Sequence, residues 1–167
     1  MKGFDNPDYI LPYIFSNIIA LLFVWAAYKK TKLGRFMFAV LFIWASIINY
    51  QTAHNNPNVY LEYADMAIGW YRDLINGWFS RNINTMVTLI SFGQAFIALG
   101  MLLNSTWVKL ACIGTVIFLL CIAPLGVGSA FPFSITASIA AALIYKKDDL
   151  DYIWKFRNVK QKNLNKT

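Results

Sequence analysis

"APLGVGSAFPFS", residues 123–134, lies inside an apolar run from Trp107 to Tyr145, and its reading decides the fold. It holds two prolines, two glycines and no charge. As one helix the run would reach about 58 Å, nearly twice a hydrocarbon core of roughly 30 Å. The stretch is therefore expected to reverse the chain, as an outward-facing turn or a short re-entrant dip. Gly126 and Gly128 would supply the positive-φ conformations of a reversal. Pro132 would sit in the first turn of the next helix, where its missing N–H costs little.

Working outward, uncharged runs recur at 10–28, 36–53, 83–103, 107–125 and 130–145. The first four have the length needed to cross a bilayer, roughly 17–25 residues; the fifth is short but extendable at both ends. Of the 167 residues, 58% are hydrophobic and 14% charged. A soluble domain carries about 25% charged residues, so this much apolar surface does not fit inside one soluble core. The predicted fold is all-α: a polytopic transmembrane helical bundle of about five spans. Residues 1–147 form a single transmembrane domain, and 148–167 a basic cytoplasmic tail.

Charge distribution orients the bundle. The first connection, "KKTKLGR", has Lys29, Lys30, Lys32 and Arg35 and no acid. The second, 54–82, has Glu62, Asp65 and Asp73 against Arg72 and Arg81; the third has only Lys109. With the N-terminus outside, every cation-rich connection and the lysine-rich tail fall in the cytoplasm. The leader "MKGFDNPDY" has two acids against one lysine and no small-x-small cleavage site, so the first segment is expected to be retained. The expected location is a bacterial cytoplasmic (inner) membrane. The net charge of +7 orients the chain and is not read as a nucleic-acid surface. Leu150, Ile153, Trp154 and Phe156 are expected on the inner membrane surface, with disorder beyond about Val159.

The outer connection is too polar to span. Asn56 as N-cap and Pro57 at the first position predict a helix over about 57–78. Asn58, Glu62, Asp65, Gly69, Arg72 and Asn76 recur at spacings of three and four and form a polar stripe. Tyr60, Tyr63, Ala67, Trp70, Tyr71, Leu74 and Trp78 fall opposite. An extracytoplasmic amphipathic helix lying along the interface follows, with aromatic rings at headgroup depth. It would close the bundle, or cover an outer pocket. Glu62 and Asp65, with Arg72, are candidates for a cation or partner on the outer face.

Inside the spans, Asn17, Asn49, Ser91 and Gln94 lie near the middle or in the outer half, with His54 at the outer end of the second span. A buried amide without a partner is costly in hydrocarbon, so these residues must face one another or a cavity. Together they form a candidate polar ligand pocket. No Asp, Glu, Lys or Arg lies deep in a span, which argues against a carboxylate proton relay or ion-coupled transport. One histidine and two cysteines, Cys112 and Cys121, support neither haem nor zinc. The cysteines, about 13 Å apart along one helix, are too far apart to bridge. No phosphate loop, Ser/His/Asp set or CxxC occurs, so the chain is not expected to be catalytic by itself.

From about Phe42 to Phe133 three features stand in order: a span ending in "WASIINY", a polar-aromatic connection, and the two-span hairpin "GQAFIALGMLLNSTWVKLACIGTVIFLLCIAPLG". In these the chain resembles the DoxX-like membrane protein superfamily. The resemblance implies a four-helix core, to which this chain adds a helix in front. It also implies a place beside quinone-reducing oxidoreductases, with quinone as the ligand. Gln94 stands where DoxX-like proteins commonly carry a glutamate. Three functions are thus expected, in this order: an accessory or scaffold subunit of a membrane complex; a quinone-binding subunit of an oxidoreductase; a binder or carrier of lipid or a small apolar solute. Expected partners are membrane lipid and other membrane-protein subunits, with no nucleic acid.

Overall fold

A computed structural model describes residues 10–155. The expectations for the leader, Phe156 and the end of the tail lie outside these residues. The described chain is all-helical. Helices α1 (Ile10–Lys29) and α2 (Thr31–Asn55) form a hairpin with only Lys30 between them. The connection that follows α2, called outer after its expected side, holds a 3-10 segment (Pro57–Glu62), α3 (Tyr63–Met66), α4 (Gly69–Leu74) and a π turn (Ile75–Phe79). Helices α5 (Ile83–Leu102) and α6 (Thr106–Ile122) form a second hairpin. A 3-10 turn (Ala123–Ser129) then leads into α7 (Phe133–Lys147).

Four stretches are long and apolar enough to cross a membrane: Ile10–Lys29, Thr31–Asn55, Ile83–Leu102 and Thr106–Ser129. Only 22 to 33% of each is buried inside the protein. The outward faces carry large apolar side chains: Leu11, Phe15 and Leu22 on α1, Trp44 and Ile47 on α2, Phe92 and Phe96 on α5, Ile113 and Ile117 on α6. Water would not tolerate such a belt, and lipid would cover it. This arrangement is that of a multi-pass membrane protein.

Helix α7, with 15 residues, is about 22 Å long and falls short of the other four. It packs against α1, α2 and α6, and Ser134, Ala137, Ser138, Ala140, Ala141 and Ile144 are buried. Its buried face is built of small residues that let neighbouring backbones approach, while Ile139, Ala142 and Tyr145 stay exposed. The same device joins α5 to α6. A Cβ on Gly100 would lie 2.9 Å from the Ala111 Cβ and 3.0 Å from the Trp107 carbonyl oxygen.

The chain does reverse in the Pro/Gly stretch, because α7 packs back along α6. Gly126 takes φ 61° as expected, but Gly128 does not; the second positive φ belongs to Ala130, at 51°. Gly128 matters instead for space, since a Cβ there would lie 2.6 Å from the Tyr63 ring. Pro132 precedes α7 by one residue rather than lying within its first turn.

Two further expectations change. The outer connection is not one helix over 57–78. It breaks at Ala67 and Ile68, both extended with ψ near 157° and 156°. The break turns α4 relative to α3, so Tyr63, Ala67 and Tyr71 pack inward while Trp70, Leu74 and Trp78 are exposed. Arg35 is not a loop cation. It lies in the second turn of α2 and is fully buried.

Candidate functional site

Ser46, Asn49, Ser91 and Gln94 meet along the seam between α2 and α5. Ser46 donates to the Ser91 carbonyl at 2.7 Å, and Ser91 donates to the Thr88 carbonyl at 2.8 Å. One turn toward the outer connection, the Asn49 amide donates to Gln94 Oε1 at 2.8 Å. The Tyr60 hydroxyl, from the 3-10 segment above, donates to Asn49 Oδ1 at 2.8 Å. Gln94 is only 2% exposed. The order of these bonds is set by chemistry: a phenol gives its proton to an amide oxygen, and that amide gives a proton to the next oxygen. Burial pushes the Tyr60 phenol above its ordinary value, a hydrogen bond with Thr52 opposes this in part, and the phenol stays a donor.

The other candidates lie elsewhere. Asn17 spends its amide on the carbonyls of Tyr13 at 2.9 Å and Ala130 at 3.1 Å, tying α1 to the turn before α7. His54 is exposed; its ring lies tilted against Tyr50, with centroids 4.3 Å apart, and its Nδ1 lies 2.8 Å from the Tyr50 carbonyl oxygen. Glu62 and Asp65 are exposed on the outer connection. Arg72 turns inward: its Nε donates to the Ala64 carbonyl at 3.0 Å. It thus serves the carbonyls at the end of α3, where a cation is favourable. Among the described residues, no group of three His, Cys, Asp or Glu side chains is placed to hold a metal ion.

At the opposite end a second cluster forms, which the sequence reading assigned to membrane orientation alone. Arg35 Nε donates to the Met101 carbonyl at 2.8 Å, and Nη2 donates to the Leu103 carbonyl. Nη1 reaches Asp148 Oδ1 at 2.9 Å and the Asp151 carbonyl at 2.7 Å. One guanidinium thereby joins α2, the end of α5 and the segment after α7. The carbonyls that end a helix lack internal partners, and a planar five-donor cation satisfies several at once. Ser105 N–H donates to the Leu150 carbonyl at 2.7 Å, and Leu150 packs on the main core. The segment after α7 therefore docks onto the protein through residue 153, where Ile153 N–H donates to the Leu102 carbonyl. Trp154 stays exposed and stacks on Tyr152 at 4.9 Å.

Two apolar grooves open on the outside. One of about 270 Å³ runs between α6 and α7, and one of about 400 Å³ between α1 and α2. The seam with Asn49 and Gln94 lines neither. Comparison with family models, with curated proteins and with solved structures yields no match.

Proposed function

We propose that the chain is a non-catalytic accessory or scaffold subunit of a membrane complex. It would cross the membrane five times, with α7 as the fifth crossing, the N-terminus outside and the tail in the cytoplasm. The observation that carries the reading is the mutual satisfaction of Tyr60, Asn49 and Gln94. Their hydrogen bonds are spent within the protein, so they act first as glue between helices. What remains available is surface: Ile68, Trp70, Leu74 and Trp78 are exposed together on the outer connection. Exposed tryptophans suit both an interface belt and a protein partner. The orientation rests on the basic character of the end that holds Lys29, Lys30 and Lys147. The resemblance to DoxX-like proteins agrees with a subunit role in a bacterial cytoplasmic membrane.

Photo-crosslinking in native membranes tests this. A photoreactive residue at Trp70 or Trp78 is expected to give one discrete protein adduct, with none from Leu110 on the lipid-facing side. Lipid adducts alone from all three positions would defeat the proposal. In the quinone alternative, a quinone carbonyl would replace one bond of the Asn49–Gln94 pair. Binding of a quinone analogue that is lost in Gln94→Leu would favour that reading instead.

A further inference from the structure

The groove between α6 and α7 has a charged side chain at its mouth, Lys146, which the lining of the groove between α1 and α2 lacks. Cys112, Val116, Ile117 and Ala142 form an apolar trough, and Tyr145 and Lys146 close its basic end. Lys109 lies one turn before Cys112 and Ile113 on the same face of α6, and is exposed. The groove between α1 and α2 is lined by apolar and aromatic side chains alone, from Ile19 to Trp44.

The charge balance at this end leaves these lysines over. Asp148 pairs with Arg35 at 2.9 Å, Asp149 with Lys32 at 3.5 Å and Asp151 with Lys155 at 3.2 Å. Lys147 is held at the Tyr28 carbonyl, 3.0 Å away, and over the Tyr28 ring. Every other acidic residue of the described chain lies on the outer connection. Among the described residues, then, Lys29, Lys30, Lys109 and Lys146 have no acidic partner, and of these four only Lys109 and Lys146 lie along the groove between α6 and α7. Two cations and a phenol surround the mouth of a trough whose wall is hydrocarbon.

We infer that this groove is a binding site for an anionic glycerophospholipid. One acyl chain lies in the trough along Val116 and Ala142. The phosphate sits between Lys109, Lys146 and the Tyr145 hydroxyl. Charge complementarity selects the headgroup, as it does for basic pockets between transmembrane helices. The trough fixes the chain, and long lysine stems reach the headgroup plane. The site needs the chain to lie in a bilayer but needs no partner subunit. It is at the opposite end from the proposed contact surface, so each can fail without the other.

The test is native mass spectrometry of the full chain in mild detergent, titrated with phosphatidylglycerol or with phosphatidylcholine of the same acyl chains. Phosphatidylglycerol is expected to be retained preferentially. Lys109→Gln with Lys146→Gln should lower its affinity by roughly tenfold or more, the scale expected when two lysines leave an anionic surface. Ala142→Trp, which fills the trough and keeps both charges, should lower it as well. Lys29→Gln with Lys30→Gln, at the same end but off the groove, should leave it unchanged. Equal loss in that control would reduce the effect to general surface charge and overturn the site. So would full retention in the Lys109/Lys146 pair, or in Ala142→Trp.

Discussion

The two ends of the bundle solve the same problem with different chemistry. At the outer end, polar groups are neutral: Tyr60, Asn49 and Gln94 form a short chain of amide and phenol bonds. At the basic end a full charge is buried, and Arg35 answers three carbonyls and one carboxylate. A neutral amide that loses its partner costs little more than its own desolvation. A buried guanidinium that loses its partner costs several times that. The basic end should therefore be the strong closure of the fold and the outer end the adjustable one.

That contrast is broken most directly at Arg35. Arg35→Ala should destabilise the protein by about 3–5 kcal/mol, because Asp148 is left charged and buried. Thermal unfolding in detergent would read this as a large loss, and a small one would remove the contrast. Replacing both ions, Arg35→Met with Asp148→Leu, separates the ion pair from the capping. The carbonyls of Met101, Leu103 and Asp151 still lose their donor, so a deficit of about 1–3 kcal/mol should remain. Recovery to the wild-type midpoint would show that the pair alone matters. Gln94→Leu should cost about 1–2 kcal/mol by leaving the Asn49 amide without its acceptor. Tyr60→Phe keeps the ring and removes one bond, for which about 0.6 kcal/mol is typical between membrane helices. His54→Ala should fall within about 0.5 kcal/mol, as an exposed side chain away from these networks. A larger effect at His54 than at Gln94 would reverse the ranking of the outer end.

Four of the five expected spans were legible because their cause is local. An uncharged run of about twenty residues states its own environment, and the Pro/Gly stretch states that the run cannot continue. The reversal was therefore readable, although which residues carry the positive φ was not: Ala130 takes one of them, and nothing in its type announces it. The break at Ala67 and Ile68 was hidden for the same reason. Neither residue is a helix breaker, and the bend is held by packing, with Ile68 N–H donating to the Pro124 carbonyl at 3.1 Å. For Asn49 and Gln94, the need for a partner could be read but not the partner's identity, because helix rotation is a tertiary property. Arg35 was the hardest. Beside three lysines it reads as one more orienting charge, and its partners at Met101, Leu103, Asp148 and Asp151 are distant in sequence. The signal was present in part, since arginine rather than lysine stands where several carbonyls must be served by one fork.

The pairing of Arg35 with Asp148 also has a consequence in time. The two residues are separated by 113 positions. A ribosome adding about 5–20 residues per second needs on the order of ten seconds to make that length. Throughout that interval the nascent α1–α2 hairpin carries an arginine whose carboxylate partner has not been made. Nε and Nη2 can serve the Met101 and Leu103 carbonyls once α5 has been made, but Nη1 waits for Asp148 and Asp151 until the segment after α7 has docked. A chain cut short before Asp148 would keep that arginine buried without its carboxylate. A segment made late thus completes a helix made early.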